Sequence, residues 1–77
     1  MRPRAMAIRG LYFRFIQGTD LEHILDAKSV FACLVRNGLI EPIDDWTYRD
    51  TDKLRDLGKT MYKATIREIL KLEASYV

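Results

Sequence analysis

The chain has 77 residues, the length of one small domain, and its hydrophobic fraction of 48% excludes an intrinsically disordered protein. Its longest uncharged apolar run, residues 30–35, is far shorter than the roughly 20 residues that a membrane span needs. The net charge of +2 is low for a dedicated DNA-binding protein, although residues 1–18 contain four arginines and no acidic residue.

The cysteine content and the N-terminal segment bear on the compartment. Cys33 is the single cysteine, so no internal disulfide can form. Arg9 and Arg14 interrupt the apolar stretch that a secretory signal would need. We therefore expect a cytoplasmic protein, and we expect a homodimer because so short a chain buries only a modest core.

Residues 5–17 are predicted to form the first helix. Its apolar residues recur at helical spacing and predict a stripe facing a core: Ile8, Leu11, Tyr12, Phe15 and Ile16. Gly18 is typical of the left-handed position that ends a helix.

A second helical region begins at Thr19. Thr19 and Glu22 have the spacing of a capping box, in which the Thr19 hydroxyl accepts from the Glu22 amide and the Glu22 side chain reaches back. Residues 20–37 contain neither glycine nor proline, so two interpretations stay open. One is a continuous helix; the other, which we favour, is a helix-turn-helix that turns at 26–28, with Asp26 capping the second helix.

A short β-hairpin is predicted after Gly38, which follows Asn37 as a helix-ending signal. Residues 39–43 have strand character, and Pro42 confines them to a sheet edge. Asp44-Asp45 would form the turn, and residues 46–49 the second strand, with Trp46 expected in the core. The alternative for this segment is an ordinary loop.

The last helix is predicted over residues 52–75, with Thr51 as its cap and Gly58 as a point where it kinks or divides. Its apolar residues lie on more than one face, which is typical of an interface. The predicted dimer contacts are Met61, Ile66, Ile69 and Leu70.

Residues 31–58 resemble the distal half of a winged helix-turn-helix DNA-binding regulator. The resemblance lies in LVRNGLIE at 34–41 and YRDTDK at 48–53. In that family a leucine-bearing recognition helix ends at a glycine, a hydrophobic wing strand follows, and a strand with an aromatic–Arg pair leads into a Thr-capped helix. The resemblance implies a single domain over 1–77, mainly α with a small β-hairpin, acting as a transcriptional regulator of bacterial or phage type.

The same resemblance implies where double-stranded DNA would bind. Residues 28–37 would be the recognition helix, with Lys28, Ala32 and Arg36 on its outer face. The predicted DNA contacts are Arg2, Arg4, Lys28, Ser29, Arg36, Thr47 and Arg49.

Another class of protein also fits the sequence. It is an all-helical interaction module, faintly similar to a death-fold bundle, which would have no strands between 39 and 49. A small inhibitor that binds a host protein belongs to the same class. Enzyme activity is not expected, because His23 and Cys33 have no partner set for metal binding or nucleophilic catalysis and no Gly-rich phosphate loop occurs. No cofactor and no metal are predicted.

Overall fold

Five helices and a small sheet make up the computed structural model, which describes residues 5–76. The elements in chain order are β1 (Met6–Ala7), α1 (Ile8–Phe15), a 3₁₀ helix (Asp20–His23), α2 (Ala27–Arg36), β2 (Ile40–Pro42), β3 (Thr47–Asp50), α3 (Asp52–Asp56) and α4 (Gly58–Ala74). The predicted contacts Arg2 and Arg4 lie outside the described residues.

The sheet has three antiparallel strands in the order β1–β3–β2. Glu41 pairs with Arg49 across the hairpin, which confirms the predicted strands and makes the all-helical alternative wrong for this segment. On the other edge of β3, Met6 pairs with Tyr48. The predicted helix at residues 5–7 is therefore wrong, because Met6 and Ala7 pair with the free edge of β3. Helix α1 starts only at Ile8, whose N–H donates to the Trp46 carbonyl at 3.0 Å.

Residues 20–37 are divided, as we favoured over a continuous helix, but the break lies at residues 24–26 instead of 26–28, and the part before it is a 3₁₀ helix (Asp20–His23) and not an α-helix. Asp26 caps α2 as predicted, its Oδ1 accepting from the Ser29 N–H at 2.8 Å. The hydrogen bonds at Thr19 differ from those of a capping box: Thr19 Oγ1 accepts from Leu21 N–H at 3.3 Å, and Glu22 Oε2 accepts from Gly18 N–H at 3.2 Å. The shift arises because this segment is a tight 3₁₀ turn.

Gly38 carries the chain from α2 directly into the hairpin. Its φ of +72° lies in the left-handed region, where the Gly38 N–H donates to the Val35 carbonyl and the Leu39 N–H to the Leu34 carbonyl. The Thr51 hydroxyl donates to the Gly38 carbonyl at 2.6 Å, so the start of α3 is tied to the end of α2. These bonds fix the position of the hairpin relative to α2.

The core lies between α1, α2, α4 and one face of the sheet. Its buried apolar residues include Leu11, Phe15, Ile16, Leu25, Val30, Cys33, Leu34, Leu39, Ile40, Tyr48, Leu54, Ile66 and Leu70. Tyr48 of β3 is 2% exposed and belongs to this core. Trp46 is 63% exposed, so its predicted core position is wrong. The reason is the bend before β3, where Asp44 Oδ1 accepts from the N–H groups of Trp46 and Thr47 and turns the indole outward.

The Asp26 cap leads to a prediction for stability. We expect Asp26→Ala to lower the free energy of unfolding by about 1 kcal/mol, because the Ser29 N–H in the first turn of α2 would have no side-chain acceptor. Asp26→Asn should retain most of the cap, since its amide oxygen can accept the same bond. Urea unfolding followed by circular dichroism measures both.

The charge of the cap makes this contribution depend on pH. The hydrogen bonds from Ser29 lower the pKa of Asp26 below its ordinary 3.8. The stabilisation is present above that value and is lost as the pH falls through the lowered pKa, since the proton removes the better acceptor. The wild type should lose stability relative to Asp26→Asn on going from pH 5 to pH 2; a constant difference would contradict the ionised cap.

Candidate nucleic-acid interface

The outer face of α2 has the composition that the sequence predicts. Val30, Cys33 and Leu34 turn into the core, which leaves Lys28, Ala32 and Arg36 exposed on the opposite side. A small residue between two long cations leaves room for a surface to approach the helix closely. The helix therefore presents a narrow basic face beside the hairpin.

At the N-terminal end of this face, α2 meets the hairpin turn. The Lys28 Nζ lies 5.4 Å from the centroid of the Trp46 ring, within the range of a cation–π contact. An open groove of about 410 Å³ runs between them and the start of α1, lined by Ala7, Ile8, Arg9, Asp26, Ala27, Lys28 and Trp46. Ser29, the next residue of α2, is half-buried and supplies its backbone N–H to the Asp26 cap.

At the other end of α2, Arg36 is engaged within the chain. Its Nη2 donates to Glu73 Oε2 of α4 at 2.6 Å, and about 59% of the Arg36 side chain is exposed. Exposed ion pairs of this kind contribute about 0–1 kcal/mol, so a phosphate can replace the carboxylate at small cost.

The hairpin carries less positive charge than a wing that contacts phosphate would need. Arg49 Nε donates to Glu41 Oε1 on the neighbouring strand at 2.5 Å, and Thr47 is half-buried. Asp44 and Asp45 occupy the turn, and hydrogen bonds from Trp46 and Thr47 lower the pKa of Asp44. The turn is therefore acidic and apolar, with Trp46 as its most prominent side chain.

The four predicted dimer contacts divide into two groups. Ile66 and Leu70 are 1% and 0% exposed and belong to the chain's own core, so they are not available to a second copy. Their burial was missed because the apolar face of the last helix is wide enough for a core or an interface, and only packing against α1 and α2 decides between them. Met61 is 58% exposed and Ile69 is half-buried, and both remain accessible.

A second group of cations lies on α4 and was not singled out in the sequence. Lys59, Lys63, Arg67 and Lys71 recur every fourth residue and are all exposed. The regular spacing was a usable signal, because residues four apart lie on one side of a helix. We refer to these four residues as the α4 basic ladder.

The groups that could support catalysis or metal binding are separated. Cys33 is buried, and its burial raises the pKa of the thiol, which is the character of an inert core cysteine. His23 is exposed on the 3₁₀ helix. Within residues 5–76, no three His, Cys, Asp or Glu side chains are grouped as metal ligands are, and no helix combines the length and apolar character needed to cross a membrane.

No protein-family model, curated protein or solved structure matches this chain. Its function is therefore inferred from the residues and contacts described above.

Proposed function

We propose that this chain is a winged helix-turn-helix domain that binds double-stranded DNA through α2, in the manner of a small transcriptional regulator of bacterial or phage type. One observation carries the proposal: the exposed face of α2 consists of Lys28, Ala32 and Arg36 and lies directly beside the hairpin turn. The order of helix, turn, helix and hairpin is the order that such domains have.

The arrangement of the two helices supports α2 as the recognition helix. In helix-turn-helix proteins the second helix enters the major groove with its N-terminal residues at the base edges, while the first crosses the backbone. Lys28 stands in the first turn of α2, where it would meet base edges or phosphate, and Arg9 on α1 lines the same groove. Lysine and arginine are the side chains that most often contact guanine and phosphate.

For Arg36 and Arg49 to bind DNA, each must give up its present ion pair with a carboxylate. Each arginine would leave a carboxylate, the half-buried Glu73 or the exposed Glu41, for a phosphate oxygen. Since both pairs are at the surface, the exchange costs little, but it also reduces the net electrostatic gain. Binding through this face alone should therefore be moderate in strength and strongly dependent on salt.

A homodimer is part of the proposal, with a contact surface revised by the burial of Ile66 and Leu70. The exposed apolar residues of the last helix and of the residues that follow it are Met61, Leu72 and Tyr76. A two-fold contact through them would bury this surface and give the pair of recognition helices a spacing near one DNA turn, about 34 Å.

The substitution Ala32→Glu tests the α2 face. A carboxylate at its centre should weaken binding to duplex DNA about tenfold or more, because it faces the phosphates and the acceptor-rich groove. Gln17→Glu is the matched control, since it adds the same charge at an exposed residue outside α2. Fluorescence anisotropy of labelled duplexes at about 50 mM salt, where phosphate contacts are strong, measures both variants.

The outcomes of this experiment separate the proposal from its rival. Equal weakening in both variants would indicate a general charge effect, and no binding of any duplex by the wild type would overturn the DNA proposal. A protein-binding function is favoured by one observation, the exposed Trp46 and Ile43 beside the acidic turn. Exposed tryptophan is enriched at interface hot spots, so Trp46→Ala would then abolish binding to a partner while leaving the fold intact.

A further inference from the structure

The α4 basic ladder is the largest concentration of unpaired positive charge in the described part of the chain. Its four side chains lie along a little over three turns of helix, about 18 Å. Within residues 5–76, none of the four forms an ion pair, whereas Arg36, Arg49 and Arg55 each pair with a carboxylate.

The ladder occupies a different side of the domain from the exposed face of α2. Arg67 and Lys71 line a cleft with Phe15 and with Thr19 to Leu21, at the end of α1 and the start of the 3₁₀ helix. By contrast, α4 meets α2 through Glu73, which pairs with Arg36. The ladder and the α2 face are therefore two separate basic surfaces.

The neighbouring charges modify the ladder without cancelling it. Arg14 of α1 adds a fifth exposed cation, because it lines one cleft together with Lys59. The acidic groups near the ladder are Asp20, which lines a cleft with Arg67, Asp50, which lines a cleft with Lys59, and Glu68, which is exposed on α4 three residues before Lys71. None of these carboxylates forms an ion pair with a ladder residue.

The position of the exposed apolar residues distinguishes between polyanionic ligands. A helix that lies in a membrane surface has its basic residues flanking an exposed apolar face. Met61 and Leu72 lie nearly opposite the centre of the ladder when about 100° of rotation is counted per residue. The ladder thus has charge without adjoining exposed apolar surface, which suits a phosphate backbone.

We propose that Lys59, Lys63, Arg67 and Lys71 form a phosphate-backbone contact surface that holds duplex DNA without regard to sequence, separately from α2. This inference rests on the proposed DNA-binding function and extends it. Such a surface supplies non-specific affinity by counterion release, while α2 supplies base contacts. It also explains how a chain of net charge +2, with two of its predicted DNA contacts engaged in ion pairs, can bind DNA.

The experiment compares two double variants of equal charge. Lys63→Gln with Arg67→Gln removes two ladder cations and keeps good helix formers. Lys53→Gln with Arg55→Gln removes two α3 cations that are already engaged: Lys53 donates to the Asn37 carbonyl, and Arg55, although it lines the same cleft as Lys59, is paired with Asp52. Affinity for duplexes of unrelated sequence is measured by anisotropy between about 50 and about 300 mM salt, the range in which counterion release dominates, and circular dichroism checks that each variant is folded.

The ladder variant should reduce the slope of log K against log salt by about 1.8, since each phosphate that is no longer neutralised lowers it by about 0.9. It should also weaken binding at least about tenfold at about 50 mM salt. The α3 variant should keep the wild-type slope. Equal slopes in the wild type, the ladder variant and the α3 variant, or equal weakening in both variants, would overturn the proposal that the ladder binds DNA.

Adding Ala32→Glu to the comparison separates this proposal from the proposed function. If only Ala32→Glu weakened binding, the proposed DNA contact of the ladder would be overturned, and α2 would remain as the DNA-binding surface. Weaker binding in the ladder variant alone would support the ladder and overturn recognition by α2. If the ladder substitutions abolished binding to anionic vesicles without any change in duplex affinity, the DNA assignment of this surface would be overturned.

Discussion

Leu70→Glu is expected to unfold this domain. Leu70 is fully buried and packs in the core that joins α4 to α1 and α2. Truncation of such a residue to alanine costs about 2–5 kcal/mol, and a buried carboxylate without a partner costs more. Since a small domain has a free energy of unfolding near the low end of about 5–15 kcal/mol, the variant should lose its helical circular dichroism at about 25 °C.

The control for this prediction is Met61→Glu on the same helix. Met61 is exposed, so at protein concentrations too low for a dimer to contribute, its replacement should leave the melting temperature within a few degrees of the wild type. Sedimentation of wild type and Met61→Glu at high micromolar concentration then tests the dimer. A wild-type chain that stays monomeric would contradict it, and a folded Leu70→Glu chain would contradict the core described here.

Tyr48→Ala should be the most damaging change in the sheet. Tyr48 is the central residue of the sheet, paired with Met6 on one side and Pro42 on the other, and its ring meets Phe31 edge-on with centroids 6.4 Å apart. Removing a buried ring of this size costs about 3–5 kcal/mol. Urea unfolding should show the lower stability, together with faster hydrogen exchange of the strand amides.

Tyr48→Phe is the matched variant and should cost at most about 1 kcal/mol. It removes only the hydroxyl, whose hydrogen-bond partner is the Met6 Sδ at 3.7 Å. If Tyr48→Ala were no more damaging than Tyr48→Phe, the sheet would not depend on this ring.

The buried Tyr48 hydroxyl also makes the stability of the wild type fall at alkaline pH. Burial raises the pKa of Tyr48 to about 12, against an ordinary value of 10.0. Between these values the unfolded chain releases the proton that the folded chain retains, so stability falls as the pH rises from about 10 to about 12. Tyr48→Phe should lack this part of the fall.

Local signals in the sequence determined most of the secondary structure. Gly18, Gly38 and Gly58 all adopt the left-handed φ that ends a helix or divides two of them, because only glycine does so without a steric cost. Asp26 and Thr51 cap the helices that follow them, since a side-chain acceptor next to free N–H groups acts within one turn. The edge strand at Pro42 was predictable from equally local chemistry: proline has no N–H for a second neighbour.

The candidate site was predictable only in part. The outer face of α2 follows from helical spacing, so Lys28, Ala32 and Arg36 were correctly placed on one exposed side. The residues that Arg36 and Lys28 contact were not predictable from the sequence. Glu73 lies 37 residues from Arg36, and Trp46 contacts Lys28 only because the hairpin turn places it beside α2. Ion pairs between distant segments depend on how whole elements pack.

The sequence by itself thus determined the caps and glycines that bound most of the helices, the turn of the hairpin and which residues can share a face. These depend on backbone conformations and hydrogen bonds within a few residues. Tertiary structure alone decided that Met6 and Ala7 join the sheet, that Trp46 is exposed and that Ile66 and Leu70 lie in the core. The physical reason is that strand pairing and burial depend on which surfaces meet. The local sequence of an apolar helix face or a short extended segment does not indicate which element will pack or pair with it.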